Sequence, residues 1–519
     1  MDRLQPFIAE FKGGLVLNRD LIAQGDELPG TLTESVNFEP SLWGGYRRIS
    51  GYQPLPAGAV PNMVDEGGEP VESTALAPNL GAAVELGYIL TARADYIYAT
   101  DLVSPSWQML NPNAPITGST RVRFNSYDWM GERRVGIATG VTKPMYWNTA
   151  GEAVVLDGAP DRVRWMEDFH SHMFVLTDNL GVVTFSAPID DNDYTPASGA
   201  GEINVGRPIT ALKKFRDALY IFCEDAIFKL VGYNSTNFQL EHVTDRMGCR
   251  FPDTIVELGG DLLYLSDDGV RTVAGTERIG DVELATISKP VQGYVRELIR
   301  GQEYIGGVVI RNKSQYRLYV GNSQYPAGAT NGLIGAIRDA DIGWEWGKLR
   351  GVRASSVASG YIGSEEVVVH GGYSCGCIYR HEVGSIFANI DGDRSINATL
   401  KTPLYSFGDP TLRKVIHKGT IHGLLEGPTE IVLSVELDGR SRHVHQPKDK
   451  FLSVGGGGVF WDYAESIYDT SVYGVEPEPI FGTNLEGSAK IFSIILNSSG
   501  GPSYTVRMLA LEYIPLGRK

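Results

Sequence analysis

Along most of the chain, apolar runs of four to eight residues alternate with clusters of Gly, Asp, Asn and Pro. The runs are rich in aromatic and β-branched residues, and runs of that kind bounded by turn formers predict short strands. One stretch departs from the pattern. Over residues 290–300, Val291, Tyr294, Val295, Leu298 and Ile299 recur at helical spacing, and Pro290 suits a first helical turn, so a helix is expected there.

The runs come in pairs, an apolar run, a polar or glycine turn and a second apolar run. Tyr88, Ile89 and Leu90 precede Tyr96, Ile97 and Tyr98; Met173 to Leu176 precede Val182 to Phe185. Leu219 to Phe222 precede Ala226 to Phe228, and Leu262 to Leu265 precede Val270 to Val273. Counting fainter copies, the units begin near 88, 135, 174, 219, 262, 316 and 367, between 39 and 54 residues apart. Units of that length with several short strands predict an all-β fold, a β-propeller of about six or seven blades over residues 81–384. A hairpin alone is marginal, so stacking around an axis is what buries its faces. A large sandwich or several small β domains remain the alternatives.

The texture changes on either side. Residues 385–519 carry longer alternating strands, with Ile431, Leu433, Val435 and Leu437 on one face and Tyr504, Val506, Met508 and Ala510 on another. The glycines at 455 to 458 between them read as a flexible loop, and the whole as a C-terminal antiparallel β domain. Residues 1–80 are rich in Pro and Gly and poor in strand signals, so an extended N-terminal arm with a long loop is expected.

Composition narrows the function. The 519 residues include 46 Lys plus Arg and 62 Asp plus Glu, a net charge of −16. An acidic surface argues against a protein that grips nucleic acid by neutralising phosphates. With 42% hydrophobic residues the chain is not disordered. Glycine, at 62 residues, is in excess without collagen periodicity and indicates many tight turns. No apolar core of signal-peptide length opens the sequence, and no window of eighteen apolar residues occurs. The four cysteines, Cys223, Cys249, Cys375 and Cys377, contain no Cys-x-x-Cys pair and read as buried thiols.

Catalytic and metal motifs are imperfect. Propeller glycosidases often carry Ser-x-Asp-x-Gly-x-x-Trp turns. Ser266-Asp267-Asp268-Gly269 lacks the spacing residue and the Trp, and Thr177-Asp178-Asn179-Leu180-Gly181 also departs from it. Strand turns favour Asp, Asn and Gly for backbone reasons alone. His170 with His172, and His443 with His445, are two apart and would share a strand face. The second pair is flanked by Arg440, Arg442, Lys448 and Lys450, which repel a cation. Asp190, Asp191, Asn192 and Asp193, and Asp391-Gly392-Asp393, lack the closing Glu of a calcium loop. No nucleophile elbow, phosphate loop or dinucleotide fingerprint is placed between a strand and a helix. Neither catalysis nor a cofactor or metal is expected.

The N-terminal stretch carries the most distinctive succession. It runs Phe11-Lys12-Gly13-Gly14-Leu15, Asn18-Arg19-Asp20, Leu28-Pro29-Gly30, Asn37-Phe38-Glu39-Pro40, then Gly44-Gly45-Tyr46-Arg47-Arg48 and Gly51-Tyr52. This resembles the opening of the tail nozzle proteins of short-tailed bacteriophages, also called tail tubular protein B, the tail hub or the DNA-stabilisation protein. The resemblance continues through Ser186-Ala187-Pro188-Ile189-Asp190 and the strand, turn, strand segment at 219–228. It extends to Leu263-Tyr264-Leu265-Ser266-Asp267, Thr402-Pro403, Asp409-Pro410, Lys414 and Leu511-Glu512-Tyr513. No long fibre-docking insertion is recognised.

The resemblance implies a structural virion protein in the phage tail, assembled in the host cytoplasm. It implies a homohexamer below the portal and tail adaptor proteins that retains and conducts genomic double-stranded DNA without binding it tightly. Tail fibre, spike or needle proteins would be further partners. An acidic wall repels a duplex and keeps it mobile, which agrees with the net charge. Arg19, Asn37, Arg47 and Arg48 are the candidate partner-docking residues, the arginines through charge-assisted bonds. Two other classes stay open, a propeller glycosidase or depolymerase and a carbohydrate- or protein-binding propeller module.

Overall fold

The computed structural model describes residues 4–516 except 62, 65–69, 72–77, 275–285, 325–329, 340–341, 374–375, 390–391, 442 and 455–479. Of the residues singled out above, Cys375, Asp391, Arg442 and the glycines at 455 to 458 lie outside the described ones.

The chain is all-β and its centre is a propeller. Four sheets of four consecutive antiparallel strands span 79–109, 123–155, 165–204 and 209–244. A three-stranded sheet spans 256–272, and four-stranded and three-stranded meanders follow at 304–350 and 356–381. We number these blades one to seven. Each of the seven repeat positions falls on the second strand of a blade: Tyr88–Arg93, Glu132–Ala138, His172–Leu176, Ala218–Cys223, Asp261–Ser266, Gln315–Gly321 and Glu365–Gly371.

Those second strands are apolar on both faces because each is sandwiched. In blade five, Leu262 and Tyr264 pack toward blade four against Phe222 and Ala211. Leu263 and Leu265 pack the other way, against Ile305 and Leu318 of blade six. An equivalent core lies at each junction, ending with Val367 and Val369 of blade seven against Val84 and Ile89 of blade one, which closes the ring. A strand buried on both sides reads as a continuous apolar run rather than an alternating one.

The fourth strand of blade seven comes from the N-terminal region. Tyr52–Ala59 pairs antiparallel with Cys377–His381, with Tyr379 opposite Pro54 and His381 opposite Tyr52. The ring is thus latched by chain from before its first blade. Residues 1–80 were expected to be an arm with few strands, and here the structure differs. Gln5–Glu10 pairs with the last strand, Tyr504–Pro515, and Glu34–Val36 lies between blade six and the C-terminal region. Three-residue strands such as Glu34–Val36 and Tyr46–Arg48 carry too little periodicity to be read, and partners such as Lys348, Thr399 and Val506 lie hundreds of residues away.

The C-terminal region forms two sheets over one core. A nine-stranded sheet runs from the four strands of blade six through Glu34–Val36 to Asn397–Lys401, Phe492–Ser499, Thr429–Leu437 and Lys450–Val454. A seven-stranded sheet contains Gln5–Glu10, Phe38–Pro40, Tyr46–Arg48, Lys414–Leu425 and Tyr504–Pro515. Ile431, Leu433, Val435 and Leu437 are buried on one face as expected. The other predicted face is only half right. Tyr504 and Val506 are buried, but then Leu509, Leu511 and Tyr513 are, not Met508 and Ala510. His422 opposes Met508 and Gly423 opposes Val506, so Arg507 is the extra residue of a bulge. One inserted residue swaps the faces of everything beyond it.

The expected helix is present as a 3-10 turn, Lys289–Val291, followed by Gln292–Leu298, with Val291, Val295 and Leu298 buried. Two of the distinctive glycines have steric reasons. Gly14 has φ +68 and a Cβ there would lie 2.5 Å from the Trp346 nitrogen; Gly45 has φ +74 and its Cβ would lie 2.1 Å from the Val506 oxygen. Among the described residues no helix is long and apolar enough to cross a membrane.

Candidate functional site

The first strands of the blades line the propeller axis, and they converge on a cavity of about 180 Å³ bounded by Arg121, Arg123, Asn125, Trp165, Glu167, Lys213 and Asp253. Toward the start of these strands it widens into a vestibule of about 440 Å³ that shares Arg121, Arg123 and Asp253 and adds Arg250, Tyr304 and Tyr373. Alternation along a strand is what aims such residues at the axis, since every second side chain of a first strand faces it.

Asp253 sits between two guanidiniums. Its Oδ2 is 3.0 Å from Arg121 Nε, and its Oδ1 accepts a hydrogen bond from Arg123 Nε at 2.9 Å. Burial pushes the Asp253 carboxyl up, but the two arginines outweigh it and hold the group below the usual carboxylate range. Arg121 also donates to the Ser355 oxygen at 2.7 Å and lies 4.2 Å from the centre of the Tyr304 ring. Arg123 lies over Trp165 at 5.0 Å. Burial raises the Tyr304 hydroxyl to about 12, so it stays protonated, and it accepts from the Val357 backbone at 3.1 Å.

Deeper in, Glu167 accepts from Asn125 Nδ2 at 2.9 Å and from the Lys214 backbone at 3.0 Å, and Lys213 Nζ is 3.4 Å away. Burial raises the Glu167 carboxyl, with Lys213 opposing. Both axial carboxylates are therefore engaged by cations or amides of the same chain. At the opposite mouth a broad cavity of about 990 Å³ is bordered by Glu85, Arg133, Arg311 and Tyr361.

The sequence-derived docking residues lie elsewhere, where the N-terminal strands meet blade six and the C-terminal sheets. Arg19 is half exposed and paired with Glu27 at 2.9 Å. Asn37 is buried with φ 57; its Nδ2 donates to the Asn397 oxygen at 2.8 Å and its Oδ1 accepts from the Arg350 backbone at 2.8 Å. Arg47 makes a two-pronged pair with Glu426 at 2.5 and 2.7 Å and touches Glu39 at 3.1 Å. Arg48 is fully buried and donates to the oxygens of Gly500, Gly501 and Pro502 through Nη1 and to that of Ile396 through Nη2. Intrachain partners thus hold Asn37, Arg47 and Arg48, and Asn37 and Arg48 are buried whereas Arg47 stays partly exposed.

Sequence reading missed the cluster around Glu39. Its Oε2 meets Arg317 Nη2 at 2.5 Å, its Oε1 meets Lys313 Nζ at 2.7 Å, and both cations also reach Glu382. Burial raises the Glu382 carboxyl, yet Arg317 and Lys313 bring it to about 2. Also missed was the buried pair His370 and His381, with Nδ1 and Nε2 2.7 Å apart. Only the mix of charged residues within apolar strands hinted at either.

Of the histidines weighed as chelators, His170 and His172 separate. His170 and Ser171 have positive φ and form the hairpin turn, whereas His172 is buried and within 2.6 Å of the Ser186 oxygen. In the acidic turn, Asp191 bonds Arg134 and Tyr127, while Asp190 and Asp193 accept from nearby backbone N–H groups. Among the described residues no three His, Cys, Asp or Glu side chains gather to hold a metal.

No family model matches the chain, and no curated protein is significantly similar to it in sequence. Solved structures resemble parts of it. An ancestral GH74 enzyme is 11% identical with a TM-score of 0.42, covering 64% of this chain and 52% of that one, so the match spans about half of that enzyme. Kluyveromyces lactis Hsv2 is 11% identical with a TM-score of 0.28, covering 52% of this chain and 97% of its own. The extracellular domain of a putative hybrid two component system from B. thetaiotaomicron is 10% identical with a TM-score of 0.37, covering 65% and 40%.

Proposed function

We propose that the protein is a structural component of a short-tailed bacteriophage tail, a nozzle or hub that assembles as a ring of six and lets the genome pass without gripping it. The N-terminal succession that resembles those proteins motivates the reading, and one structural observation supports it. The propeller and the C-terminal layer share a single nine-stranded sheet, with Val36 paired to Lys348 on one side and to Thr399 on the other. Backbone hydrogen bonds, not a linker, couple the two parts, so force applied at one is borne by the other. That is what the wall of a pressurised conduit needs. Across six chains the net charge of −16 apiece would repel a duplex.

A second reading, a propeller glycosidase or ligand-binding module, is favoured by the axial cavity, where Asp253 and Glu167 stand near Trp165 and Tyr304. The engagement of both carboxylates weighs against hydrolysis, because a general acid and a base or nucleophile have to reach the glycosidic bond. Mass photometry with negative-stain averages, alone and with portal and adaptor proteins, separates the readings. The chain is 56.6 kDa, and particles six times heavier with ring-shaped averages are expected. A monomer that never assembles, and that releases sugars from bacterial polysaccharide, would replace the first reading with the second.

A further inference from the structure

The vestibule at the Arg121 mouth has a surplus of cation that its own carboxylates do not cancel. Arg121, Arg123 and Arg250 line it against Asp253 and Glu303, three cations to two carboxylates, and the first two share Asp253. Each arginine is fixed from behind. Arg121 is ion-paired with Asp253 and donates Nη1 to the Ser355 oxygen, with its face against Tyr304; Arg123 donates Nε to Asp253 and Nη1 to the Arg164 oxygen, with its face on Trp165. Arg121 also bonds the Tyr304 hydroxyl, and among the described residues no acceptor takes a hydrogen bond from Nη2 of Arg123. Both side chains are about four-fifths buried, with 20% and 22% of their surface exposed. A guanidinium held rigid and partly dehydrated has little entropy left to lose when an anion meets its open edge.

From this we propose that the vestibule is a binding site for a small anion-bearing molecule, whose carboxylate, phosphate or sulphate group bridges Arg121 and Arg123. The other charges at the mouth do not preempt it. Glu303 is occupied by the Ser323 hydroxyl and backbone at 2.6 and 2.9 Å. Arg250 leans on Asp267 at 3.4 Å, and Arg353 lies over the Tyr373 ring at 5.4 Å. The vestibule, about 440 Å³, admits a molecule the size of a sugar acid, with the Tyr304 and Tyr373 rings on its wall. On a chain of net charge −16 this is a local reversal of sign, and low-dielectric walls focus such a field. The site is independent of the assembly reading, since the axis of one propeller is not the axis of a ring of six.

Isothermal titration calorimetry on the full chain tests it, with inorganic phosphate, sulphate and glucuronate as probes and glucose as the neutral control. At low ionic strength, saturable binding of at least one anion is expected in the range of about 1 mM or tighter, weakening with added salt, and none of glucose. Binding of all three anions identifies a general anion site; binding of glucuronate alone identifies a sugar acid. Arg123→Gln is expected to weaken binding about tenfold, and Asp253→Asn, which removes the competing carboxylate, to strengthen it by a similar factor. Opposite signs from two contacting residues are what a merely structural role would not give. Circular dichroism melting confirms that each variant is folded. Absence of saturable binding by every probe, or both variants changing affinity in the same direction, overturns the proposal.

Discussion

Glu39 and Arg317 face each other at 2.5 Å with both side chains only 2% exposed, so an N-terminal residue and a blade-six residue form an ion pair shielded from water. The pair stands inside a larger alternation of charge that includes Lys313, Glu382, Arg47 and Glu426. Such a cluster fixes how the N-terminal strands lie on the propeller. Its members tolerate loss of a partner badly, because the survivor keeps its charge in a poor solvent.

Arg317→Met is therefore expected to destabilise the fold by about 3–5 kcal/mol, leaving Glu39 and Glu382 short of a cation. Arg19→Met, which breaks the exposed pair with Glu27, should cost less than about 1 kcal/mol. Urea unfolding of the two variants, compared at pH 7, checks the contrast.

The buried histidine pair predicts a pH dependence. Burial depresses His370 well below its ordinary value, and burial with Arg317 nearby brings His381 to about 3. An unfolded chain then binds more protons than the folded one below about pH 6.5, so stability falls as pH drops from there toward 3. Each histidine contributes up to about 1.4 kcal/mol for every pH unit in that window. Melting temperatures between pH 7 and 5 should fall steeply for the native chain and less steeply for His381→Gln.

Glycine geometry offers a third test. Gly44 and Gly45 both have positive φ, but a Cβ on Gly44 meets open space whereas one on Gly45 meets the Val506 oxygen. Gly44→Ala should cost about 1 kcal/mol, the price of the backbone conformation alone. Gly45→Ala should cost clearly more and displace the Tyr46–Arg48 strand from Tyr504–Pro515, visible as faster amide exchange at Val506.

Removing residues 1–60 should open the ring. Blade seven would lose its fourth strand, and Val367, Val369 and Ile378 would lose Leu55 and Val60 from their core. A broad, non-cooperative thermal transition and rapid proteolysis within 356–381 are the expected outcome. A sharp transition near the native temperature would show that the latch is dispensable.

How much of this was legible follows from where each strand's neighbours come from. The seven repeat positions were readable because both faces of each second strand are buried by adjacent blades, which forces an unbroken apolar run. The blade-closing strand was not, since Gln53, Pro54 and Pro56 disguise Tyr52–Ala59 as a loop. Arg47 and Arg48 looked like one basic feature. Neighbours on a strand point to opposite faces, so one meets Glu426 near the surface and the other vanishes into a ring of main-chain oxygens. The axial residues were invisible for another reason. Arg121, Glu167, Lys213 and Asp253 lie in or just before the first strands of four successive blades, and only the packing of those blades makes them neighbours.

The pairing of Gln5–Glu10 with Tyr504–Pro515 sets a clock on biogenesis. Tyr513 donates its hydroxyl to Gln5 across 508 positions of chain. At roughly 5–20 residues per second on the ribosome, the opening strand waits about 25–100 s for its mate to be made. Its exposed edge has to be kept from pairing with other nascent chains in that interval. A product cut short before Tyr504 would never acquire that mate, and cellular proteases would meet a sheet with a missing seam. The fold thus makes the pairing of Gln5–Glu10 wait on a strand about 500 positions further along the chain.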